Sequence, residues 1–553
     1  MHINKCCDRL TSFIISKLIN EMKKILLFII VGFNFTILNA QIEKIIPIEL
    51  GEKWYGAAVN EGDKMPFQEG YSINLNDDTK TNQAAPFILS TQGRYIWSNA
   101  PFAFLIKNNQ IVLSNYTDSI FLDKRGNNLK DAYISASKKF FPATGKLPDS
   151  LLFKSPQYNT WIELIYNQNQ KDILKYAHDI IKNGFPAGVL MIDDNWAPYY
   201  GKFEFRKDRF PDAKAMILEL KSLGFKVMLW VCPFISPDTE ESRELLKEKL
   251  VLMNNEGNIN SSWAETKTPA LINWWNGYSF VMDFSNPNAV TWYKNQLYKM
   301  TEEYGLDGFK FDAGDPEFYP KNTVAFQNIS ANDHTELWGL FGLEYPLNEY
   351  RAMWKRGNEP LVERLRDKLH TWTDLKKLIP HITTAALLGY TFSCPDMIGG
   401  GDYSSFLPGS KLDQDLIVRS AQCQTLMPMM QFSVAPWRVL DKNHLEAVKK
   451  AVEVRQSFVP LIMRLANKSA ESGEPIVSNM EYSFPNQGFE TCKDQFMLGE
   501  NIMVAPMLEK GFQRTVVFPK GKWKSYKGLI INGPATKQFD VSLEDLLWFE
   551  KIK

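Results

Sequence analysis

The chain predicts a multidomain α/β plus all-β protein: a (β/α)8 TIM barrel with an N-terminal β-sandwich and a C-terminal β-domain. Three observations carry this. From Pro156 onward, apolar strands alternate with helical segments, the signature of a parallel sheet. Strand after strand in that region ends in a polar or aromatic residue, as expected where a site gathers at the C-terminal ends of barrel strands. On either side, the chain reads as short alternating runs broken by Gly and Asn-Asp. At 553 residues it is also too long for one core, so several domains are expected.

Taken in order, residues 1–40 read as an upstream extension followed by a secretory signal. Lys23 and Lys24 give the positive start, Ile25 to Leu38 is mostly apolar, and Leu38-Asn39-Ala40 resembles a cleavage site before Gln41. The run is too short and too early for a good membrane span, and it places the protein outside the cytoplasm, secreted or periplasmic. Cys6 and Cys7 precede it. Cys232, Cys394, Cys423 and Cys492 remain, widely spaced and without a CxxC pattern, and read as small buried residues.

Residues 41–155 form the predicted β-sandwich, with alternating runs such as Gly93–Trp97 and Gln110–Leu113. Residues 156–471 form the barrel. Its first strand is expected at Thr160–Leu164, then a helix over Gln170–Asn183, a strand over Gly188–Ile192 and a helix over Ala213–Leu223. A strand over Lys226–Val231, a helix over Asn288–Tyr304 and a strand ending at Asp312 follow, and a helix over Asn443–Phe458 closes the region. Residues 472–553 turn β-rich again, for example Glu500–Pro506 and Arg514–Pro519.

Formal net charge is zero, which gives no pull toward nucleic acid or an anionic membrane. The 6 histidines are scattered, with no HExxH and no Gly-rich phosphate loop, so neither a metal nor another cofactor is implied. Aromatics make up 13% of the chain, which suits stacking on the flat faces of sugars, although core packing claims most of them in any protein.

The chemistry centres on the run Gly305 to Asp315. Phe309 and Phe311 alternate with Lys310 and Asp312, and Ala313-Gly314 allows a turn and the close approach of a ligand. Asp312 reads either as a site carboxylate at a strand end or as a turn cap. Asp193 and Asp194 end the strand before them as paired acceptors for hydroxyl groups. The run Phe309-Lys310-Phe311-Asp312-Ala313-Gly314-Asp315 resembles the nucleophile segment of glycoside hydrolase family 31. It fits the branch that reads Phe-Lys-x-Asp-x-Gly-Asp/Glu, which includes the myogenesis-regulating glycosidase and bacterial relatives. The likeness covers about Gln41 to the C-terminus and is strongest from Trp161 to Pro506.

That resemblance implies roles residue by residue. Asp312 matches the nucleophile, and Asp193 the sugar-binding acid. Asp194 falls at a position that varies in the family. Trp230 falls where the family has Trp-x-x-Pro and offers a stacking face. Trp275 precedes Met282-Asp283-Phe284-Ser285-Asn286-Pro287 as the family's Trp precedes Asp-Phe-Thr-Asn-Pro, with Trp274 its structural neighbour. Lys310, on the same strand face as Asp312, either favours the ionised form of that carboxylate, or hydrogen-bonds a substrate hydroxyl, or makes a structural ion pair inside the barrel. Asp367 lies sixteen residues after Arg351 and five before Trp372, the family spacing for the acid/base after its sugar-binding arginine. Most members read Trp-x-Gly-Asp-Asn there, whereas this chain reads Leu365-Arg366-Asp367-Lys368; Glu359, Glu363 and Asp374 are rivals. Asp396, in Asp396-Met397-Ile398-Gly399-Gly400, matches the residue that orients the acid or binds a hydroxyl. Ser433 stands where most members carry a sugar-binding histidine.

The implied activity is a retaining exo-α-glycosidase acting on a small-molecule or oligosaccharide α-glycoside, with α-galactoside favoured over α-glucoside. Alternatives are a catalytically silent carbohydrate-binding protein on the same fold, or an α-glycosidase for another sugar such as sulfoquinovose or xylose. N-terminal sequencing of exported protein is expected to begin near Gln41, and a start at Met1 or Met22 would reject the leader.

Overall fold

The computed structural model describes residues 43–257, 267–320 and 323–552. The expected leader at Met22–Ala40, with Cys6 and Cys7, lies outside them. No helix among the described residues is long and apolar enough to cross a membrane.

Eight short parallel strands form a barrel. They are Gln157–Asn159 (β1), Val189–Ile192 (β2), Lys226–Val231 (β3), Gly308–Phe311 (β4), Asn348–Tyr350 (β5), Glu363–Arg364 (β6), Ser393–Cys394 (β7) and Gln431–Phe432 (β8). Each pairs with its neighbour in chain order, and β8 pairs with β1. The ring closes between β7 and β8 through a single bridge, Met397 to Gln431. The apolar runs of β2 and β3 are buried because helices cover the sheet. Gly308 is obligatory in β4, since a Cβ there would stand 1.9 Å from the carbonyl oxygen of Leu347.

The helices between strands follow their caps. Asn169 Oδ1 accepts from Asp172 N–H at 2.9 Å to start Gln170–Lys182. Asn286 and Pro287 start Pro287–Tyr304, and Gly305 at φ 77° ends it. Two expectations for the barrel region need correction. The first barrel strand is Gln157–Asn159, and Trp161–Leu164 is instead one helical turn. Asn159 Oδ1 captures the N–H of Trp161 at 2.8 Å, and Leu164 N–H bonds back to the Thr160 carbonyl at 3.0 Å, which ends the strand. The helix expected to end at Phe458 runs over Lys442–Ser472, straight through Pro460. Its Arg455 guanidinium, buried, donates to the carbonyls of Phe153, Thr425, Met427 and Pro428 and ties the helix to the barrel floor.

Before the barrel lie two antiparallel sheets, Lys44–Pro47, Gln110–Ser114, Ala103–Lys107 and Ser72–Asn74, and Trp54–Ala58, Gln83–Ser90, Arg94–Trp97 and Phe121–Lys124. The region is not all-β as expected: Leu129–Phe140 is a helix, capped by Asn128 and burying Leu129, Ala132, Tyr133 and Ala136 on one face. A six-stranded antiparallel sheet follows the long helix. The second N-terminal sheet reaches into the barrel. Met353–Trp354, just after β5, pairs in parallel with Gln83–Ala84. Gln83 Nε2 donates to the carbonyls of Arg351 (2.5 Å) and Arg364 (2.8 Å), and Asn82 Nδ2 reaches the same two at 3.0 and 3.3 Å.

The ends of β5 and β6 are therefore held by side chains outside the barrel. Gln83→Ala leaves these buried carbonyls short of donors, and a loss of about 1–3 kcal/mol is expected. A lowered apparent melting temperature checks it; an unchanged one rejects the clamp.

Candidate active site

At the C-terminal ends of the strands a cavity of ≈ 220 Å³ opens, lined by residues from β1 to β7 and the loops after them. The alternation along β4 decides which side chains enter it. Phe311 points outward and stacks on Tyr350 with ring centroids 4.8 Å apart. Lys310 and Asp312 point inward. Ala313 (φ 56°) and Gly314 (φ 80°) turn the chain away at once, and a Cβ on Gly314 would stand 2.3 Å from the Trp338 ring.

Lys310 Nζ lies 2.7 Å from Asp193 Oδ2 and 4.0 Å from Asp312 Oδ2. Trp230, its register partner on β3, donates its indole N–H to Asp312 Oδ2 at 2.8 Å. Ala313 N–H donates to Oδ1 at 2.8 Å. Burial alone pushes the Asp312 carboxyl up. The charges of Lys310, Arg351 and Arg364 and the Trp230 hydrogen bond outweigh it, so Asp312 is held below the usual carboxylate range. Lys310 thus makes the ion pair expected of a structural lysine, with Asp193, and also faces Asp312. Trp230, expected as a stacking face, also spends its polar edge on that carboxylate.

Asp193 and Asp194 are both buried at the cavity wall. Asp193 Oδ1 accepts from Asp194 N–H at 2.9 Å. Asp194 accepts from the Tyr200 hydroxyl at 3.1 Å and from Asn276 Nδ2 at 2.5 Å. Burial and the neighbouring Asp193 charge raise its carboxyl to about 7. Asn276 is the tip of an antiparallel hairpin, Leu271–Trp274 with Gly277–Val281, inserted between β3 and β4. Its Oδ1 accepts from the Tyr166 hydroxyl at 2.7 Å. Trp274 is buried and bonds Ser279 Oγ at 3.0 Å. Trp275 is 43% exposed at the cavity mouth, where the Arg351 guanidinium lies 5.1 Å from its ring centre. Arg351 Nε also pairs with Asp315 Oδ2 at 2.9 Å.

On β6, Glu363 faces out of the barrel and Arg364 faces in. Arg364 Nη1 contacts Asp367 Oδ1 at 2.5 Å and Asp396 Oδ1 at 3.2 Å, and its Nε lies 3.4 Å from Glu349 Oε1. Asp367 is a third exposed and lines the cavity; Asp396 is 1% exposed and does not. Burial would raise Asp367, but Arg364 and Arg351 pull it down to about 2. Asp396 is raised to about 7 by burial and by Asp367, against Arg364 and Lys368. The rivals lie elsewhere: neither Glu359 nor Glu363 lines the cavity, and Asp374 is engaged by Leu369 N–H and Lys377.

Ser433 is turned away from the cavity. Its Oγ accepts from Ile162 N–H at 2.7 Å, which pins the turn carrying Trp161. Trp161 lines the cavity, edge-to-face with Tyr166 (5.4 Å) and Tyr403 (5.6 Å). Arg364, Asp402, Met397 and these three aromatics were missed from sequence. Arg364 was legible as an inward strand residue had β6 been recognised, but two residues carry no period.

A model of the glycosyl hydrolase family 31 TIM-barrel domain matches residues 156–364, and one of the family 31 C-terminal domain matches residues 473–550. The chain is 32% identical over 431 residues to mouse myogenesis-regulating glycosidase, covering 74% of this chain. The chain belongs to glycoside hydrolase family 31, in the branch of that mouse protein.

It is also 23% identical over 514 residues to α-glucosidase 2 of Bacillus thermoamyloliquefaciens, covering 82% of this chain. It spans 58% and 62% of the lengths of these two relatives. A Flavobacterium johnsoniae dextranase of the family, complexed with glucose, superposes with a TM-score of 0.80 at 18% identity, over 93% of this chain and 67% of that one. In the family's Trp-x-Gly-Asp motif, three residues before Asp367 is the place of the Trp, and here Arg364 occupies it.

Trp230→Phe keeps the ring and removes the N–H. A hydrogen bond to a charged group is worth about 1.5–3 kcal/mol, so the Asp312 carboxyl is expected to rise by about 1–2 pH units. Carboxyl-carbon NMR titration reads this directly, and an unmoved Asp312 rejects the assignment.

Proposed function

We propose that the protein is a secreted, retaining exo-α-glycosidase acting by double displacement on a terminal α-linked hexose, with α-galactoside favoured over α-glucoside. The observation that carries this is the meeting of Asp312 and Asp367 in one cavity, on β4 and after β6, with Asp312 held ionised by three cations and an indole N–H. Asp312 attacks the anomeric carbon as Asp367 delivers a proton to the leaving oxygen. Asp367 then takes a proton from the water that releases the sugar from Asp312. Carboxyl groups about 5–5.5 Å apart suit this path, and no cofactor enters it.

The cavity of ≈ 220 Å³ is small beside the roughly 300–1,000 Å³ of sites for larger ligands, which supports binding of one terminal ring. Each cation on its wall already faces a carboxylate: Lys310 faces Asp193, Arg351 faces Asp315, and Arg364 faces Asp367 and Asp396. That favours a neutral sugar over one carrying a sulfonate. The galactoside preference rests on Asp193 and Asp194, two adjacent acceptors for an axial hydroxyl edge, and on Ser433 being withdrawn from the ring hydroxyls.

A screen of nitrophenyl α-glycosides tests the sugar, and a higher kcat/KM on α-glucoside overturns the preference. Asp312→Asn is expected to abolish turnover of every substrate. Asp367→Ala should cut disaccharide hydrolysis by on the order of 10²–10⁴-fold while sparing glycosyl fluorides. Azide should restore its rate and yield the α-glycosyl azide. Equal slowing of all leaving groups with no azide rescue places the acid/base elsewhere. A wild-type protein that neither hydrolyses an α-glycoside nor traps an intermediate would instead be a silent binding protein.

A further inference from the structure

The order of strands in the ring sets how a glycoside lies in the cavity. With eight strands, β2 and β6 face each other across the barrel, and β4 lies midway between them. On the glycosidase reading above, Asp312 after β4 attacks the anomeric carbon and Asp367 after β6 protonates the leaving oxygen. The aglycone therefore departs on the β6 side. The opposite edge of the pyranose, carbons C4 and C6, is directed at β2, whose end carries Asp193 and Asp194.

A hairpin tip closes the cavity at that edge. The turn pairs Trp274 with Gly277, and Gly277 supplies the positive φ of 96° that it needs. The turn thus asks nothing of the Asn276 side chain, which is spent inward. Its Nδ2 donates to Asp194 Oδ2 at 2.5 Å and to the Tyr200 hydroxyl at 2.8 Å. Its Oδ1 accepts from the Tyr166 hydroxyl at 2.7 Å. Tyr166 and Asp194 both line the cavity, and Asn276 joins their polar ends from outside it. The residues that flank it, Trp275 and Gly277, are exposed, so half-buried Asn276 stands between the cavity and solvent.

Building on the glycosidase reading, we propose that Asn276 sets the specificity of the site. It straps Tyr166 to Asp194 and shuts the cavity against any substituent on C4 or C6 of the bound ring. The substrate class is then an α-glycoside whose last ring is bare along that edge. Rings etherified there, and internal rings joined to a chain through it, are refused. The strap discriminates by exclusion. A group added at C4 or C6 meets the Asn276 amide, and displacing that amide leaves the Tyr166 hydroxyl and the Asp194 carboxylate each short of a hydrogen-bond partner.

The test compares kcat/KM on the nitrophenyl α-glycoside of the sugar hydrolysed fastest by the wild type with kcat/KM on its 4-O-methyl and 6-O-methyl ethers. Wild type is expected to lose roughly 10–200-fold on either ether, the range that one added carbon commands in a closed pocket. Asn276→Ala should lose activity on the parent glycoside yet narrow the parent-to-ether ratio by on the order of tenfold. Tyr166→Phe keeps the ring and frees one end of the strap, and it should narrow the ratio less.

Equal turnover of parent and ethers by the wild type overturns the proposal. So does an Asn276→Ala variant that slows all three substrates alike, because a strap that only held the hairpin would displace Trp275 for each of them. If Asn276→Ala fails to fold, Tyr166→Phe decides, and an unchanged ratio there overturns the strap. Failure of the underlying reading looks different. A silent binding protein would turn over no α-glycoside, and Trp230 and Trp275, both on the cavity wall, would then report binding by their fluorescence. Methyl α-galactoside should in that case bind more tightly than its 4-O-methyl ether, and equal binding of the two rejects the strap independently of catalysis.

Discussion

Lys310 is buried at the centre of the barrel mouth, and the rest of the site is arranged around that buried charge. An ammonium without solvent costs several kcal/mol unless it is paired, so Asp193 lies 2.7 Å away and Asp312 4.0 Å away. Two carboxylates brought in to satisfy one cation leave negative charge in surplus, which the next strands balance with Arg351 and Arg364. Those arginines in turn meet Asp315, Glu349, Asp367 and Asp396. The site is thus a relay of compensating charges around half of the barrel. Removing any one member leaves an uncompensated neighbour, so single substitutions of these residues change stability as well as chemistry.

The relay explains how three aspartates close together come to differ. Asp312 faces three cations and two N–H donors, and stays ionised. Asp367 is held low by Arg364 and Arg351. Asp194 has no cation of its own; it faces hydroxyl and amide donors beside Asp193 and rises to about 7. Burial pushes all of them the same way, so the differences come from which donors and charges each oxygen meets. Part of this arrangement comes from outside the strands. Asn276 comes from the hairpin after β3, and the backbone that carries Arg351 and Arg364 is held by Asn82 and Gln83 of the N-terminal sheet.

Long apolar or amphipathic elements were legible in sequence. Strands β2, β3 and β4 and the helices following β1, β2 and the inserted hairpin carry enough residues to show a period. β5 to β8 have two or three residues each, below any periodicity, and nothing in the sequence singled out the inward Arg364. Thr160–Leu164 went wrong because a side-chain acceptor, Asn159, outcompeted the strand ladder for the Trp161 N–H. The carboxylates were legible because Asp193, Asp194 and Asp312 directly follow strands. Asp367 follows a strand of only two residues, and spacing to Arg351 and Trp372 alone singled it out. Trp161, Tyr166 and Tyr403 were hidden by the general rule that aromatics belong to cores.

Ser433 shows how a substitution can matter through backbone rather than contact. A serine in place of a histidine looks like a lost hydrogen bond to substrate. Here the hydroxyl is bonded to Ile162 N–H, deep in the wall, and Tyr176 donates to the Ser433 carbonyl at 3.1 Å. Glu163 in the same turn accepts from Ala435 N–H and pairs with Arg438. The turn after β1 is thereby fastened to the segment after β8, and Trp161 with Tyr403 fills the arc between β7 and β1. That arc meets a ligand with ring faces and edges rather than with an imidazole. Ser433 thus acts on the cavity through the position of the Trp161 turn rather than through its own hydroxyl.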